Sequence, residues 1–251
     1  MNLQRQKSFF DIYPHEYDML TDAASRRKNH KKEIQAIIKL TNPSSVLDAG
    51  CATGLTTSLF GEFGLKTVGI DRSRGMISQA KENYGDIEKI RFQSSSFEKL
   101  PVNMHNKYDL IVCLANSISG VGSLSNLYRS LNNFNKVLKD DGVLVLQLLN
   151  YISIVDGEFL PIKVTRHDNL IYQRFSERRG KLLYIYVNRL DLNSNPPNYE
   201  MFRHEFENFT PKEVTDSLKR ARFRKIKRFS NLFFDKDFTK SSRDLVVVAH
   251  K

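Results

Sequence analysis

The sequence predicts an open α/β domain on a mostly parallel sheet, with a second, antiparallel sheet inserted into it. Three observations carry that expectation. Short apolar runs alternate with helix-period segments from residue 44 to residue 150, the pattern of βαβ units joined by right-handed crossovers. The run Val46-Leu47-Asp48-Ala49 leads into a glycine-bounded turn, Gly50-Cys51-Ala52-Thr53-Gly54, and the next run, Val68-Gly69-Ile70-Asp71, also ends in an acid. Strand ends of this kind are where open α/β sheets gather their ligands. After Tyr151 the alternation stops, and strand-like stretches follow one another with turn signals between them.

The elements read in order as follows. The first forty residues look helical: 18–29 is polar, Ile34, Ile37, Ile38 and Leu40 form an apolar stripe, and Asn42-Pro43-Ser44 ends it. Strands at 46–49 and 66–70 flank a helix at 55–63, and a helix at 75–84 leads to a strand at 90–94. Residues 108–114 carry an unbroken Leu-Ile-Val-Cys-Leu run, which suits a strand buried on both faces. Apolar positions 124, 127, 131, 134, 137 and 138 mark an amphipathic helix, and Asp140-Asp141-Gly142 turns into a strand at 143–149. The insertion reads as strands at 159–167, 169–177, 181–192 and 202–209, with Asn195-Pro196-Pro197-Asn198 as a loop. Thr210-Pro211-Lys212-Glu213 has the cap, first-turn proline and early acid of a helix running to about 221. Strands at 223–229 and 244–250 close the chain. The expected division is a helical lid (1–43), a ligand-binding core (44–150), the insertion as lid or acceptor wall (151–208), and the rest of the core sheet (209–251).

Composition narrows the function classes. The 251 residues suit one large domain with an inserted piece, and 40% hydrophobic content with 11% aromatics can fill its core. No run approaches the roughly 18 apolar residues of a membrane span, and Met1-Asn2-Leu3-Gln4-Arg5-Gln6-Lys7 shows no apolar signal segment. Cys51 and Cys113 lack metal-ligand spacing and read as reduced, buried thiols. The six histidines show no ligand spacing either, so no metal is expected. These features favour a cytoplasmic protein. Net charge is +11, with 19 Lys and Arg against 15 Asp and Glu in 1–150, and 20 against 13 in 151–251. The basic run 219–228 has two readings: a nucleic-acid surface, or a helix C-terminus passing into a strand with one solvated face. No RNA-binding motif accompanies it, so the second is preferred.

The turn Asp48-Ala49-Gly50-Cys51-Ala52-Thr53-Gly54 resembles the first motif, D-x-G-C-x-T-G, of class I S-adenosylmethionine-dependent methyltransferases. The resemblance covers 44–150 and 209–251 well and implies a seven-stranded Rossmann-like sheet with the last strand antiparallel. The antiparallel excursion after Asn150-Tyr151 is similar to the branch of small-molecule N-methyltransferases that includes glycine N-methyltransferase. By that resemblance S-adenosylmethionine is the cofactor. Gly50 and Gly54, with Cys51 between them, would admit its methionine part, Asp48 would orient the turn and meet the ammonium, and Asp71 would hold both ribose hydroxyls. Ser73 and Met76 complete D-x-S-x-x-M, the methionine lying against adenine or in the core. Ser96 and Phe97 stand where the family places an acid or amide and an apolar residue at the base; a serine has shorter reach. Leu114 would border the cofactor and Asn116 face the acceptor, joined by Tyr151. Arg26 matches an arginine that contacts the cofactor carboxylate, and Tyr17 belongs to the lid.

In glycine N-methyltransferases an arginine before Asn-Tyr holds the substrate carboxylate. Here Leu149 takes that place, which implies an acceptor other than glycine and a less polar one. Asn195-Pro196-Pro197-Asn198-Tyr199 superficially resembles the N-P-P-Y box of amino-group methyltransferases. That box follows strand four, where this chain has Leu114-Ala115-Asn116-Ser117. The expected function is methyl transfer to N or O of a small-molecule acceptor. The alternatives are an RNA or tRNA methyltransferase, suggested only by the charge, and a non-catalytic cofactor-binding subunit. No dedicated catalytic nucleophile is required, and none is assigned.

Overall fold

The computed structural model describes residues 8–151 and 154–251; the reading of Met1–Lys7 as lacking a signal segment lies outside the described residues. Two short helices, α1 (Phe9–Ile12) and α2 (Tyr17–Thr21), and a long one, α3 (Ala23–Thr41), come first. They are separate because Pro14 opens a 3₁₀ turn and Asp22 adopts a left-handed φ of 53° between α2 and α3. Asn42, also left-handed, ends α3 by donating its N–H to the Ile38 carbonyl.

The core then alternates: β1 (Ser45–Ala49), α4 (Leu55–Glu62), β2 (Lys66–Asp71), α5 (Arg74–Tyr84), β3 (Ile90–Ser94), β4 (Tyr108–Cys113), α6 (Leu124–Val137) and β5 (Leu138–Leu149). The meander β6 (Phe159–His167), β7 (Leu170–Arg179), β8 (Leu182–Asp191) and β9 (Asn198–Glu207) follows. Last come α7 (Pro211–Arg220), β10 (Arg224–Phe229) and β11 (Asp244–His250). The main sheet has the order β10-β11-β5-β4-β1-β2-β3, and only β11 runs antiparallel to its neighbours. From β1 the order departs in two directions, which leaves a crevice at the C-terminal ends of β1 and β4.

Both faces of the sheet are covered, which explains why its central strands are apolar throughout. Leu47, Ala49, Ile111, Cys113, Leu144 and Leu146 pack with Leu131 and Phe134 of α6 and Leu218 of α7. Val46, Leu110, Val112 and Val145 point the other way, against Ile34 and Ile37 of α3 and Leu59 and Phe60 of α4. Among the described residues, no helix is long and apolar enough to cross a membrane.

Two boundaries differ from expectation. Asp140-Asp141-Gly142 is not a free turn but part of β5, which already pairs with Tyr108 at Leu138; the register to β4 shifts there and Asp141 takes a φ of 64°. It is a bulge, which absorbs extra residues without ending the strand. Likewise β9 begins at Asn198, four residues ahead of the expected start, because its ladder with β8 continues to the Asn198–Asp191 pair.

Directly opposed residues in an antiparallel ladder share a face. The meander therefore presents three rows on one side: Tyr172, Arg189, Glu200; then Arg174, Val187, Phe202; then Ser176, Ile185, His204. Tyr172, Val187 and Phe202 from this face pack on Phe9 and Leu20 of the N-terminal helices. At the far edge of the main sheet Lys219 and Arg220 occupy the last turn of α7, and Arg224, Lys225, Lys227 and Arg228 of β10 are exposed. The basic run is thus a helix end followed by a solvated strand.

Candidate active site

The turn after β1 is shaped by its glycines. Gly50 and Gly54 have φ of 88° and 94°. A Cβ on Gly50 would lie 2.6 Å from Ser117 Cβ, and one on Gly54 2.8 Å from the Phe92 ring. Conformation and space both demand glycine here. The Gly50 and Cys51 amides donate to the Ile70 carbonyl at 2.8 and 3.0 Å, which holds the turn against the end of β2.

Two acids flank the turn. Asp48 is buried and accepts from Thr57 Oγ1 at 2.6 Å. Burial pushes its carboxyl up to about 6, against the opposing pull of the Thr57 hydrogen bond and of His30. Asp71 accepts from the Ser73 amide at Oδ1 (2.9 Å) and from the Ala52 amide at Oδ2 (3.1 Å). Burial raises its pKa as well, tempered by those two amides and by Arg72. Each Asp71 oxygen retains acceptor capacity beyond its one amide.

The remaining candidates fall into three groups. Ser73 caps α5, accepting from the Met76 amide, and donates to Asp11 Oδ1 at 2.8 Å, tying α1 to the core; Met76 is buried beside it. Cys51 packs among Ile77, Ala80, Ile90 and Phe92, and burial raises its thiol far above the ordinary range. Ser96 precedes a 3₁₀ turn that begins with Phe97, whose ring contacts Phe134 and stands 3.4 Å from the place a Gly50 Cβ would take.

Beyond β4, Leu114 is core while Ala115 and Asn116 both take positive φ, 52° and 67°. This strain is held by Gln147, which accepts both amides, Ala115 at its side chain and Asn116 at its backbone carbonyl. Asn116 Oδ1 accepts from Ser119 Oγ and the Leu149 amide, leaving Nδ2 buried with no partner among the described residues. Tyr151 is buried after β5, its phenol raised by burial. Tyr17 opens α2, where burial raises its phenol and where it feels the charges of Arg26, Asp71 and Arg174. Arg26 donates to Thr21 Oγ1 at 2.9 Å.

Several site residues escaped the sequence reading. Arg189 and Glu16 form a buried two-point ion pair at 2.8 and 2.8 Å, joined by the Tyr172 hydroxyl at 2.7 Å. His204 stacks on Phe10 with centroids 4.3 Å apart. Burial, with Arg72 adding, pushes its pKa down to about 4, and Nε2 has no partner among the described residues. Arg174 shares the inner face of the meander. The available signal was an ionisable residue standing in a row of inward positions: Arg189 follows Leu183, Ile185 and Val187 at alternate positions.

Comparison with known proteins agrees with this geometry. A methyltransferase-domain family model matches residues 47–146. The glycine/sarcosine/dimethylglycine N-methyltransferase of Actinopolyspora halophila is 32% identical over 161 residues, 59% of this chain and 28% of that protein. The glycine/sarcosine N-methyltransferase of Aphanothece halophytica is 27% identical over 155 residues, 61% and 58% of the two chains. The chain thus spans less than two thirds of either curated relative. The structure of the CcbJ methyltransferase from Streptomyces caelestis superposes with a TM-score of 0.83 over 97% of each chain at 17% identity, a likeness of fold. With the sheet order, the glycine turn and the paired strand-end acids, these matches make residues 47–146 similar to a methyltransferase domain and give the chain the fold of S-adenosylmethionine-dependent methyltransferases.

Proposed function

We propose that the protein is a cytoplasmic enzyme that transfers the methyl group of S-adenosylmethionine to a small-molecule acceptor, at nitrogen in preference to oxygen. The observation that carries this is the crevice itself. A cradle that only glycine can form ends beside Asp71, and the meander and N-terminal helices flank it with half-paired polar groups. The cradle fits the methionine part of the cofactor, and the spare lone pairs of Asp71 fit two ribose hydroxyls. Bound there, the cofactor would supply an electrophilic methyl on a positively charged sulfur.

The chain's own residues then align the acceptor and exclude water. Asn116 Nδ2, buried and without a partner among the described residues, is a donor for an acceptor oxygen. Tyr17, Arg26, Ser73 and Phe97 complete the cofactor walls, with Ser96 at the base, Leu114 beneath, and Tyr151 beside the acceptor. Met76 and Cys51 support the cradle from the core. The preference for nitrogen rests on the N-methyltransferase relatives. Incubating the protein with isotope-labelled S-adenosylmethionine and a whole-cell metabolite extract tests the reading: one or more small molecules should gain a methyl, and labelled RNA or no labelled product at all would refute it.

The Asp48 carboxyl gives a pH test. An ammonium prefers the ionised form, and the group is half protonated near 6. S-adenosylhomocysteine affinity should therefore fall as pH drops, by about tenfold from roughly pH 7 to roughly pH 5. The stability sign is opposite: the raised folded pKa favours the native state at low pH, and that contribution is lost as pH rises from the ordinary carboxylate value through about 6. Asp48→Asn should thus flatten the pH dependence of binding and raise the melting temperature of the ligand-free protein at about pH 8. Calorimetry and thermal melts check both halves; a variant with unaltered pH dependence would remove Asp48 from the ammonium site.

The RNA reading is tested separately. A basic groove of ≈ 440 Å³ between α7 and β10 is lined by Lys212, Lys219, Arg224, Lys225 and Arg228, at the edge of the sheet four strands from β1. Only non-specific RNA binding is expected, with Kd about 10⁻⁴–10⁻⁶ M at physiological salt. Arg222, Arg224 and Lys227 changed together to glutamate should leave methyl transfer to the small acceptor nearly unchanged. Submicromolar RNA binding abolished by that change, with methylated RNA as product, would favour the alternative.

A further inference from the structure

The roof over the crevice contains a cation without a counter-ion. Arg174 of β7 is half-buried on the inner face of the meander, opposite Val187, in the row that packs on the N-terminal helices. Among the described residues no carboxylate forms an ion pair with it. The groups it feels are the Tyr17 phenol and a second cation, Arg26, and burial lowers its pKa. Tyr17 in turn feels Asp71, so the pair of guanidiniums borders the same crevice as the strand-end acid. The contrast with Arg189 is informative. That arginine, one row away on the same face, is matched by Glu16, with Asp191 and Glu200 nearby. A half-buried guanidinium beside a like charge is costly unless an anion joins it.

The cofactor does not supply enough negative charge. It carries one carboxylate against an ammonium and a sulfonium, and in the proposed reading Arg26 is the partner of that carboxylate. From this charge balance we infer that Arg174 anchors an acidic group, carboxylate or phosphate, on the methyl acceptor. The inference rests on the small-molecule reading above and narrows it to acceptors that carry both a nucleophilic nitrogen or oxygen and an acid. It also revises the expectation drawn from Leu149. The anion anchor absent from the end of β5 is supplied from the opposite wall, by a planar fork suited to two-point recognition of an oxyanion.

The test separates an acid of the acceptor from the cofactor carboxylate as the anion at Arg174. Protein loaded with S-adenosylhomocysteine is titrated with acetate and with inorganic phosphate while the arginine Nε–H signals are followed by NMR. One of the two should shift the Arg174 signal saturably, the responding anion naming the acid class. In Arg174→Gln that binding should be lost, and Arg174→Lys should retain a fraction of it. S-adenosylhomocysteine affinity by calorimetry should stay within about twofold of wild type in both variants, which also shows that they fold. For the acceptor identified from the metabolite extract, KM should rise about 10- to 100-fold in Arg174→Gln. An acceptor without an acid, an unmoved KM, or an Arg174 signal indifferent to both anions would overturn the inference. So would a tenfold loss of S-adenosylhomocysteine affinity, which would assign Arg174 to the cofactor carboxylate instead. Failure of the methyltransferase reading would look different: wild type itself would bind no S-adenosylhomocysteine or methylate no small molecule.

Discussion

Replacing Arg189 with methionine is expected to cost about 3–5 kcal/mol, the range for removing one partner of a buried ion pair. The guanidinium is 7% exposed, donates twice to Glu16, and lies 4.4 Å from the centre of the Tyr13 ring. Without it Glu16 keeps its charge in a dry site, with the Tyr172 hydroxyl and the exposed His15 imidazole as its remaining neighbours. The loss falls on the joint between the meander and the N-terminal helices, because Glu16 sits in the lid and Arg189 in β8. Amide exchange should accelerate in α1, α2 and β6–β9 more than in β1, β4 and β5, and added S-adenosylhomocysteine should restore part of the protection. Removing both charges together, as Glu16→Leu with Arg189→Met, should cost less than the single change. Uniform exchange across both sheets, or a double variant as unstable as the sum of the singles, would show that the pair does not act as a joint.

The same pair sets an acid limit. Burial raises Glu16, but hydrogen bonds from Arg189 and Tyr172 outweigh it and hold the carboxyl below its ordinary value. A depressed pKa contributes stability above the unfolded value and loses it as pH falls through the folded one. The lid should therefore loosen on acidification before the central strands exchange.

How far the sequence could be read depended on the distance over which each feature is encoded. The central strands β1, β4 and β5 were legible because each contains a local apolar run. The turn from Asp48 to Gly54 was legible for the same reason, since its φ values and crowding are demands on consecutive residues. The β5 bulge was not, because whether Asp140-Asp141-Gly142 turns or bulges depends on β4, about thirty residues earlier. The N-terminal segment was read as helical without its breaks, because the left-handed φ of Asp22 between α2 and α3 leaves no mark in the apolar periodicity. Arg174, Arg189 and His204 were illegible for the strongest reason. Their partners are Tyr17 and Arg26, Glu16, and Phe10, over 140 residues away in sequence. Only the register of an antiparallel ladder puts them on one face.

Asp71 should carry the largest effect on ligand binding. Asp71→Asn is expected to weaken S-adenosylhomocysteine binding by about 1.5–3 kcal/mol, the range for hydrogen bonds to a charged group. The structure gives the carboxylate a second task, since it takes the Ala52 and Ser73 amides that fix the turns after β1 and β2. Alanine would orphan both amides and mix the two effects, and asparagine would set an N–H against one of them. The ligand must therefore separate recognition from turn geometry. In wild type, removing the ribose 2′-hydroxyl from S-adenosylhomocysteine should cost a large part of the same energy. In Asp71→Asn the deoxy penalty should shrink, because one carboxylate oxygen becomes an N–H and the remaining carbonyl oxygen is an uncharged, weaker acceptor. A deoxy penalty of the same size in both proteins would mean that the hydroxyl finds its partner elsewhere, and that Asp71 serves the glycine turn alone.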